Sequence, residues 1–131
     1  MPNPVRSNQV CDAIITVAQV GTTDDFTITI QLLGVNGEAL TAMAAVQYYF
    51  SIATDGTDIA VTSTDVVSVA IGTDGLCLED NVTGNVYGWL VSESDGAIDL
   101  AVEVADDKTV TFNLILPDGT IITGDEMAYT A

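Results

Sequence analysis

Residues 26–32, FTITIQL, alternate strictly between apolar and polar side chains. In an extended chain, successive side chains point to opposite faces, so the apolar set shares one face: Phe26, Ile28, Ile30 and Leu32. This alternation predicts a half-buried β-strand. The same alternation returns in 98–104, IDLAVEV, and in 109–116, TVTFNLIL, so the three stretches together predict a β-protein.

Weaker strands are predicted where Val, Ile, Thr and aromatic residues accumulate, because these residues pack well on a pleated surface. They cover 13–20, 46–52, 66–71, 85–92 and the region 121–130. Dipeptides that favour tight turns lie between the strands: Asn36-Gly37, Asp55-Gly56, Asp74-Gly75, Asp95-Gly96 and Asp118-Gly119. Eight or nine short strands at this spacing predict an antiparallel β-sandwich or a small barrel. Only the first half of 37–49, GEALTAMAAVQYY, has the composition of a helical turn.

The charge is one-sided. The chain has 131 residues, about one domain, with 19 acidic residues against two basic ones and a net charge of -17. Nucleic-acid binding requires Lys and Arg to displace counterions from phosphates, so that class is excluded, and anionic membranes are disfavoured for the same reason. We expect an acidic, solvated face that favours cations or a basic partner. No basic start followed by an apolar run occurs, which predicts synthesis in the cytosol.

Catalytic and metal-binding patterns are weak. Histidine is absent, which removes Ser-His-Asp and Cys-His sites and His-ligated zinc. The two cysteines, Cys11 and Cys77, have no partner at metal-ligand spacing and are interpreted as small hydrophobes or free thiols. We therefore predict no enzyme, no cofactor and no metal. The acidic loops, such as 92–99, SESDGAID, allow either calcium binding or simple turns, and the turn is favoured because Asp-Gly alone suffices for it.

The aromatic residues allow two arrangements. Tyr48 and Phe50 are expected in the core and Trp89 against the opposing sheet. A solvent-facing cluster of Tyr49, Tyr87 and Trp89 would instead indicate sugar stacking or a protein interface. Alternation places Tyr87 and Trp89 on one side of their strand while the other side is also apolar, as expected of a central strand or of one covered by a partner.

Residues 1–12 are predicted to form an extended N-terminal arm, followed by a single β-sandwich domain over 13–131. Pro2 and Pro4 disfavour regular strand pairing. A frayed tail is the favoured interpretation for the isolated protein, whereas in an assembly the arm would become ordered on a neighbouring subunit. The candidate interface residues are Pro2, Pro4, Val5 and Arg6.

Residues 13–131 resemble small virion structural proteins of tailed bacteriophages. The resemblance is carried by 36–40, NGEAL, by 88–100, GWLVSESDGAIDL, and by 109–124, TVTFNLILPDGTIITG. It implies an Ig-like or jelly-roll-like sandwich, a strand pair joined near NGEAL and a hairpin through SESDG. It also implies a capsid decoration or cement protein, or a head-fibre domain, that commonly assembles as a trimer over joints between capsid hexamers. The family has no catalytic residues to transfer.

Two functions follow as expectations. The first is a decoration subunit on the virion surface, made in the host cytoplasm, with the major capsid protein and copies of itself as partners, a trimer being favoured. The second is an Ig-like binding module or head-fibre domain that displays loops to a host surface or glycan. Because acidic copies repel one another, any oligomer is expected to have an apolar axis and to keep most of its acidic residues on the outward face. The remaining possibility for metal binding is a cation shared by acidic residues where two subunits meet.

Overall fold

The computed structural model describes residues 9–78 and 84–131, which form two antiparallel sheets and one helical turn. The elements in chain order are β1 (Asp12–Gln19), β2 (Asp25–Leu33), β3 (Ala45–Ser51), α1 (Thr62–Asp65), β4 (Val66–Ile71), β5 (Leu76–Cys77), β6 (Tyr87–Val91), β7 (Ala97–Val104), β8 (Lys108–Ile115) and β9 (Ile121–Tyr129). The predicted all-β sandwich is confirmed.

The strand order resembles that of an immunoglobulin sandwich. One sheet has the order β1-β2-β7-β4 and the other β5-β6-β3-β8-β9. Strand β2 pairs with β7 while β3 pairs with β8, so consecutive strands cross between the sheets in a Greek key. Four strands facing five is also the spatial arrangement of a variable-type Ig domain, but the chain here visits β4, at the edge of the first sheet, before β5 and β6.

The core lies between the two sheets. The alternating set predicted in 26–32 is buried, as are the inward residues of β7 and β8. Three rings meet at the centre: Tyr48 stacks on Phe112 with centroids 5.8 Å apart, and Phe50 packs edge-on against Phe112 at 5.5 Å. Each such side chain contributes about 2 kcal/mol by leaving water. The predicted core positions of Tyr48 and Phe50 are confirmed.

All five predicted turn dipeptides carry their glycine at positive φ. The turn at Asp95-Gly96 nevertheless does not close a hairpin, because it joins β6 of one sheet to β7 of the other. A Cβ on Gly96 would lie 2.9 Å from the carbonyl oxygen of Leu32, so only glycine allows the chain to cross so close to β2. The expected hairpin through SESDG is wrong, and so is the pairing of the strands on either side of NGEAL.

Two short elements differ from expectation. Residues 37–44 contain no helix, since they form a bridge between Ala39 and Leu33 and then cross to the second sheet. The single helical turn is α1, and its C-terminal residue Asp65 is buried. Strand β5 was not predicted, because two residues are too few to establish a period.

The folded domain begins within the segment that was predicted to be an extended arm. Val10 is buried in the core, and the Cys11 amide donates to the carbonyl of Leu33 at 2.9 Å, so residues 10–12 extend the edge of the sandwich. The candidate interface residues Pro2, Pro4, Val5 and Arg6 lie outside the described residues.

Candidate functional site

The outer face of the five-stranded sheet presents large apolar side chains to solvent. Cross-strand pairing aligns one row across it, because Trp89 opposes Gln47, Gln47 opposes Ile115, and Ile115 opposes Ile121. Leu78 extends this row beside β6, since its amide donates to the carbonyl of Trp89 at 3.1 Å. The row therefore runs across the sheet on its solvent side.

Flanking rows enlarge the surface on both sides. Tyr87 opposes Tyr49 on one side of the main row, and Leu76 opposes Val91 on the other. Tyr87 is 68% exposed and Trp89 is 43% exposed, which are large fractions for aromatic side chains on a sheet. We call this surface the apolar face: Ala45, Gln47, Tyr49, Leu76, Leu78, Tyr87, Trp89, Val91, Ile115 and Ile121.

Charge is distributed unevenly over the two outer surfaces of the sandwich. The ten residues of the apolar face include no carboxylate and no cation, and the acids on this side of the sheet, Glu126 and Asp58 of the flap, lie outside this set. The outer face of the four-stranded sheet instead carries Asp12, Asp25, Asp99 and Glu103 between threonines. An uncharged surface on a chain of net charge -17 is unexpected for a face that only meets water. Such a surface is typical of an interface.

A flap, residues 52–60, folds back over one part of the same sheet. Its amide at Ile52 donates to the carbonyl of Asp58 at 2.6 Å, and an isolated bridge joins Ile59 to Ser51. The Tyr49 hydroxyl donates to the carbonyl of Gly56 at 2.8 Å and so ties the tip of the flap to β3. Desolvation, and to a smaller extent the neighbouring Asp55, raises the pKa of Tyr49, which therefore stays a neutral donor.

A buried polar network lies beneath the flap. The Asn113 amide donates to the Ser51 hydroxyl at 2.9 Å, and the Thr123 hydroxyl donates to Asn113 Oδ1 at 2.9 Å. Thr111 is also fully buried, and its hydroxyl has no hydrogen-bond partner within the described residues. The flap covers Asn113, an outward-pointing residue of β8, since a Cβ on Gly56 would lie 3.3 Å from Asn113 Oδ1.

The flap and the sheet together form an open groove with a volume of about 690 Å³. Aromatic and aliphatic side chains form its floor, and Thr57, Asp58 and Ile59 of the flap form one wall. A smaller cavity of about 390 Å³ shares Trp89 and Ile115 with the groove and reaches Pro117. The expected position of Trp89 against the opposing sheet is wrong: the whole outward set of β6 faces solvent, as the second arrangement of the aromatics required.

Backbone amides donate to the carboxylates of the acidic turns or of a neighbouring strand and hold these turns in place. Asp55 accepts from both the hydroxyl and the amide of Thr57, and these bonds lower its pKa. Bonds from Thr120, mainly from its amide, lower the pKa of Asp118 in the same way. Asp99 accepts from the Asp74 amide at 2.7 Å. The interpretation of these loops as turns agrees with this geometry.

Glu103 is different because it lies among other acids. Partial desolvation raises its pKa, and Asp24, Asp25 and Asp106 raise it further. Across residues 9–78 and 84–131, no three acidic or cysteine side chains come together in an arrangement that could hold a metal ion. This end of the four-stranded sheet thus concentrates negative charge away from the apolar face.

Comparison with known proteins adds no assignment. No protein-family model, no curated protein and no solved structure matches this chain. Within the described ranges, no helix is long and apolar enough to cross a membrane.

Proposed function

We propose that this protein is a non-enzymatic structural subunit of a virion, a decoration or cement protein that binds the capsid surface through its apolar face. The single observation that carries the proposal is the exposure of Trp89, Tyr87 and their neighbours on an uncharged sheet surface. Aromatic residues that are surrounded by aliphatic ones are the residues that dominate protein interfaces. The link to a virion rests on the resemblance in residues 13–131.

The energetics suit passive attachment. Burial of the exposed parts of the large side chains on this face would release apolar surface from water at about 25 cal/mol per Å². Copies that occupy many equivalent positions on a shell would add their contacts through avidity, so each copy needs only modest affinity. The acids of the four-stranded sheet would then point outward, where water and salt screen their repulsion. A trimer, as the resemblance implies, stays part of the proposal.

The test is attachment to particles. The chain should be detected by mass spectrometry in purified virions of the virus that encodes it, and purified protein should bind again to particles from which it was removed. Trp89→Ser should reduce this binding by at least tenfold. Ile14→Ser changes an apolar residue that is exposed on the other sheet, 56% against 43% for Trp89, so it is the control and should bind normally. Absence from virions, or unchanged binding by Trp89→Ser, would contradict the proposal.

The second candidate is a binding module that presents the same aromatic residues to a host glycan. It is favoured by the solvent-facing cluster of Tyr49, Tyr87 and Trp89, because sugars stack on such rings. The mostly aliphatic remainder of the groove, with Ile59, Ile115 and Ile121, favours a protein instead. Since Trp89 is the sole tryptophan, a glycan array followed by fluorescence titration separates the two candidates.

A further inference from the structure

We infer that the groove beside the flap accepts an extended segment of a partner protein that carries large apolar side chains next to a Lys or Arg. This inference deepens the proposed function, on which it rests for the identity of the partner as a capsid protein. It specifies the chemistry of the segment that the groove recognises.

The shape of the groove favours an extended chain. The row from Trp89 to Ile121 spans three inter-strand spacings, which is about 14 Å at ~4.8 Å per spacing. A segment of about four extended residues has this length at ~3.3 Å per residue. The flap stands along one side, so a narrow segment can contact floor and wall at once, whereas a flat surface would contact only the protruding aromatic rings.

The floor determines the apolar part of the ligand. Trp89, Ile115 and Ile121 offer no charge. Gln47, opposite Trp89 in the same row, contributes a side-chain amide that can accept or donate one hydrogen bond. Burial of a charged side chain on this floor would cost free energy without a compensating partner. The segment is therefore expected to place aliphatic or aromatic side chains there.

The wall determines the basic part. Asp58 lines the groove, and Asp55 lies three residues earlier in the same flap. The Asp55 carboxylate is held in its turn by Thr57. The described residues contain a single ion pair, between Lys108 and Asp65, so neither flap acid has a cation of its own there. A Lys or Arg beside the apolar residues of the ligand would meet this charge, and the net charge of -17 would attract it from a distance.

The same charges argue against a second copy as the occupant. Two chains that met face to face would bring the flap acids of both copies to the rim of one interface. Like charges at close range oppose such a complex, whereas a basic segment is attracted.

The test uses a displayed library of random twelve-residue peptides selected on the purified full chain at low salt. Enriched peptides should combine two or more large apolar residues with an adjacent Lys or Arg. Trp89→Ser should weaken a selected peptide at least tenfold, and Asp58→Asn about threefold. Asparagine tolerates the left-handed backbone at position 58, where φ is 58°, so the flap keeps its shape. Asp106→Asn, at the opposite end of β8, is the control of equal charge change and should not weaken binding.

Three results of the peptide selection would overturn the inference: no enrichment, enriched peptides without a basic residue, or unchanged peptide binding by Asp58→Asn. A dimer in light scattering that Trp89→Ser dissociates would identify a second copy as the occupant and would overturn it as well. The proposed function fails separately. If peptides bind as expected but purified virions lack the chain, the groove specificity is supported and the capsid function is not. If particle binding depends on Trp89 but is unchanged by Asp58→Asn, the capsid function is supported and the basic part of the groove specificity is not.

Discussion

The hydroxyl of Tyr49 donates to the carbonyl oxygen of Gly56 across 2.8 Å, and this bond fastens the flap to the sheet that it partly covers. Tyr49→Phe removes the donor and leaves the ring in place. We expect the free energy of unfolding to fall by about 1 kcal/mol, measured by urea denaturation.

Tyr87→Phe is the control for this change, because Tyr87 is more exposed and its hydroxyl makes no hydrogen bond to residues 9–78 or 84–131. Its effect should stay within about 0.5 kcal/mol. Equal effects of the two substitutions would show that the flap is not held by the Tyr49 hydroxyl.

Asn113 should be among the costliest polar residues to remove. Asn113→Ala takes away the acceptor of the Thr123 hydroxyl and one of the two partners of the buried Ser51 hydroxyl, which keeps its bond to the carbonyl of Ala53. We expect a loss of about 2 kcal/mol. Gln47→Ala, at an exposed position of the adjacent strand, serves as the comparison and should change stability little. A small effect at Asn113 would mean that water already reaches the network.

Asp65 is a buried carboxylate with an important local role. It is 5% exposed, and its Oδ2 accepts from the Val61 amide at 2.7 Å. Lys108 Nζ lies 3.9 Å from its other oxygen. Asp65→Ala should destabilise the domain by about 3 kcal/mol, measured by thermal and urea unfolding.

Lys108→Ala should cost less than Asp65→Ala, because Lys108 is half exposed and water can replace it. Asp65→Asn keeps an acceptor for the Val61 amide and should recover part of the loss. If Lys108→Ala were the more damaging change, the ion pair rather than the turn would be the main contribution of Asp65.

Glu103 should make the protein more stable as the pH falls from neutral. Its pKa is raised in the folded state, mainly by desolvation, so the folded protein binds the proton more tightly than the unfolded chain. Glu103→Gln should therefore raise stability at pH 7, by about 0.5 kcal/mol for a carboxylate opposite Asp25. This gain should shrink as the pH falls through the folded-state pKa of Glu103.

Asp118 provides the opposite sign. Its pKa is lowered, so its stabilisation is present above its unfolded value and disappears as the pH falls through its folded value. Asp118→Ala should lower stability at pH 7 and have less effect in acid. Equal pH profiles for the Glu103 and Asp118 variants would contradict both assignments.

Trp89 and Phe112 test the division between surface and core. Trp89→Ser should change the free energy of unfolding by less than about 1 kcal/mol, since the ring is substantially exposed. Phe112→Ala should cost about 3–5 kcal/mol, because its ring is fully buried between Tyr48 and Phe50. A large loss in the free energy of unfolding for Trp89→Ser would show that Trp89 packs in the core and not on the surface.

The strands were predictable because the alternation of apolar and polar residues within each one shows which side is buried. Alternation in 26–32 and 98–104 identifies the strand and its buried side from local sequence alone, and Asp-Gly pairs identify turns by their backbone requirement. Which sheet a strand joins is decided by distant partners. The Asp95-Gly96 dipeptide therefore correctly predicted a tight turn, but the hairpin expected there was wrong because β6 and β7 belong to different sheets.

The candidate site was harder to predict for the same reason. Alternation shows that Tyr87 and Trp89 share a face of β6, but both faces of that strand are apolar, so the pattern does not say which one meets water. The burial of Asn113 depends on a flap that starts some sixty residues earlier, and no local signal marks it. The one available signal was that both faces of β6 are apolar in a chain whose composition is otherwise strongly acidic.

The pairing of β3 with β8 has a consequence for how the protein is made. Ser51 and Asn113, which lie on these two strands, are separated by 62 positions in the chain. During synthesis β3 leaves the ribosome before β8, so Tyr48 and Phe50 cannot pack against Phe112 until β8 has emerged. Such distant pairing makes folding slow. The surface that β3 and β8 share therefore forms only after β8 has been synthesised, and any assembly through that surface has to follow this pairing.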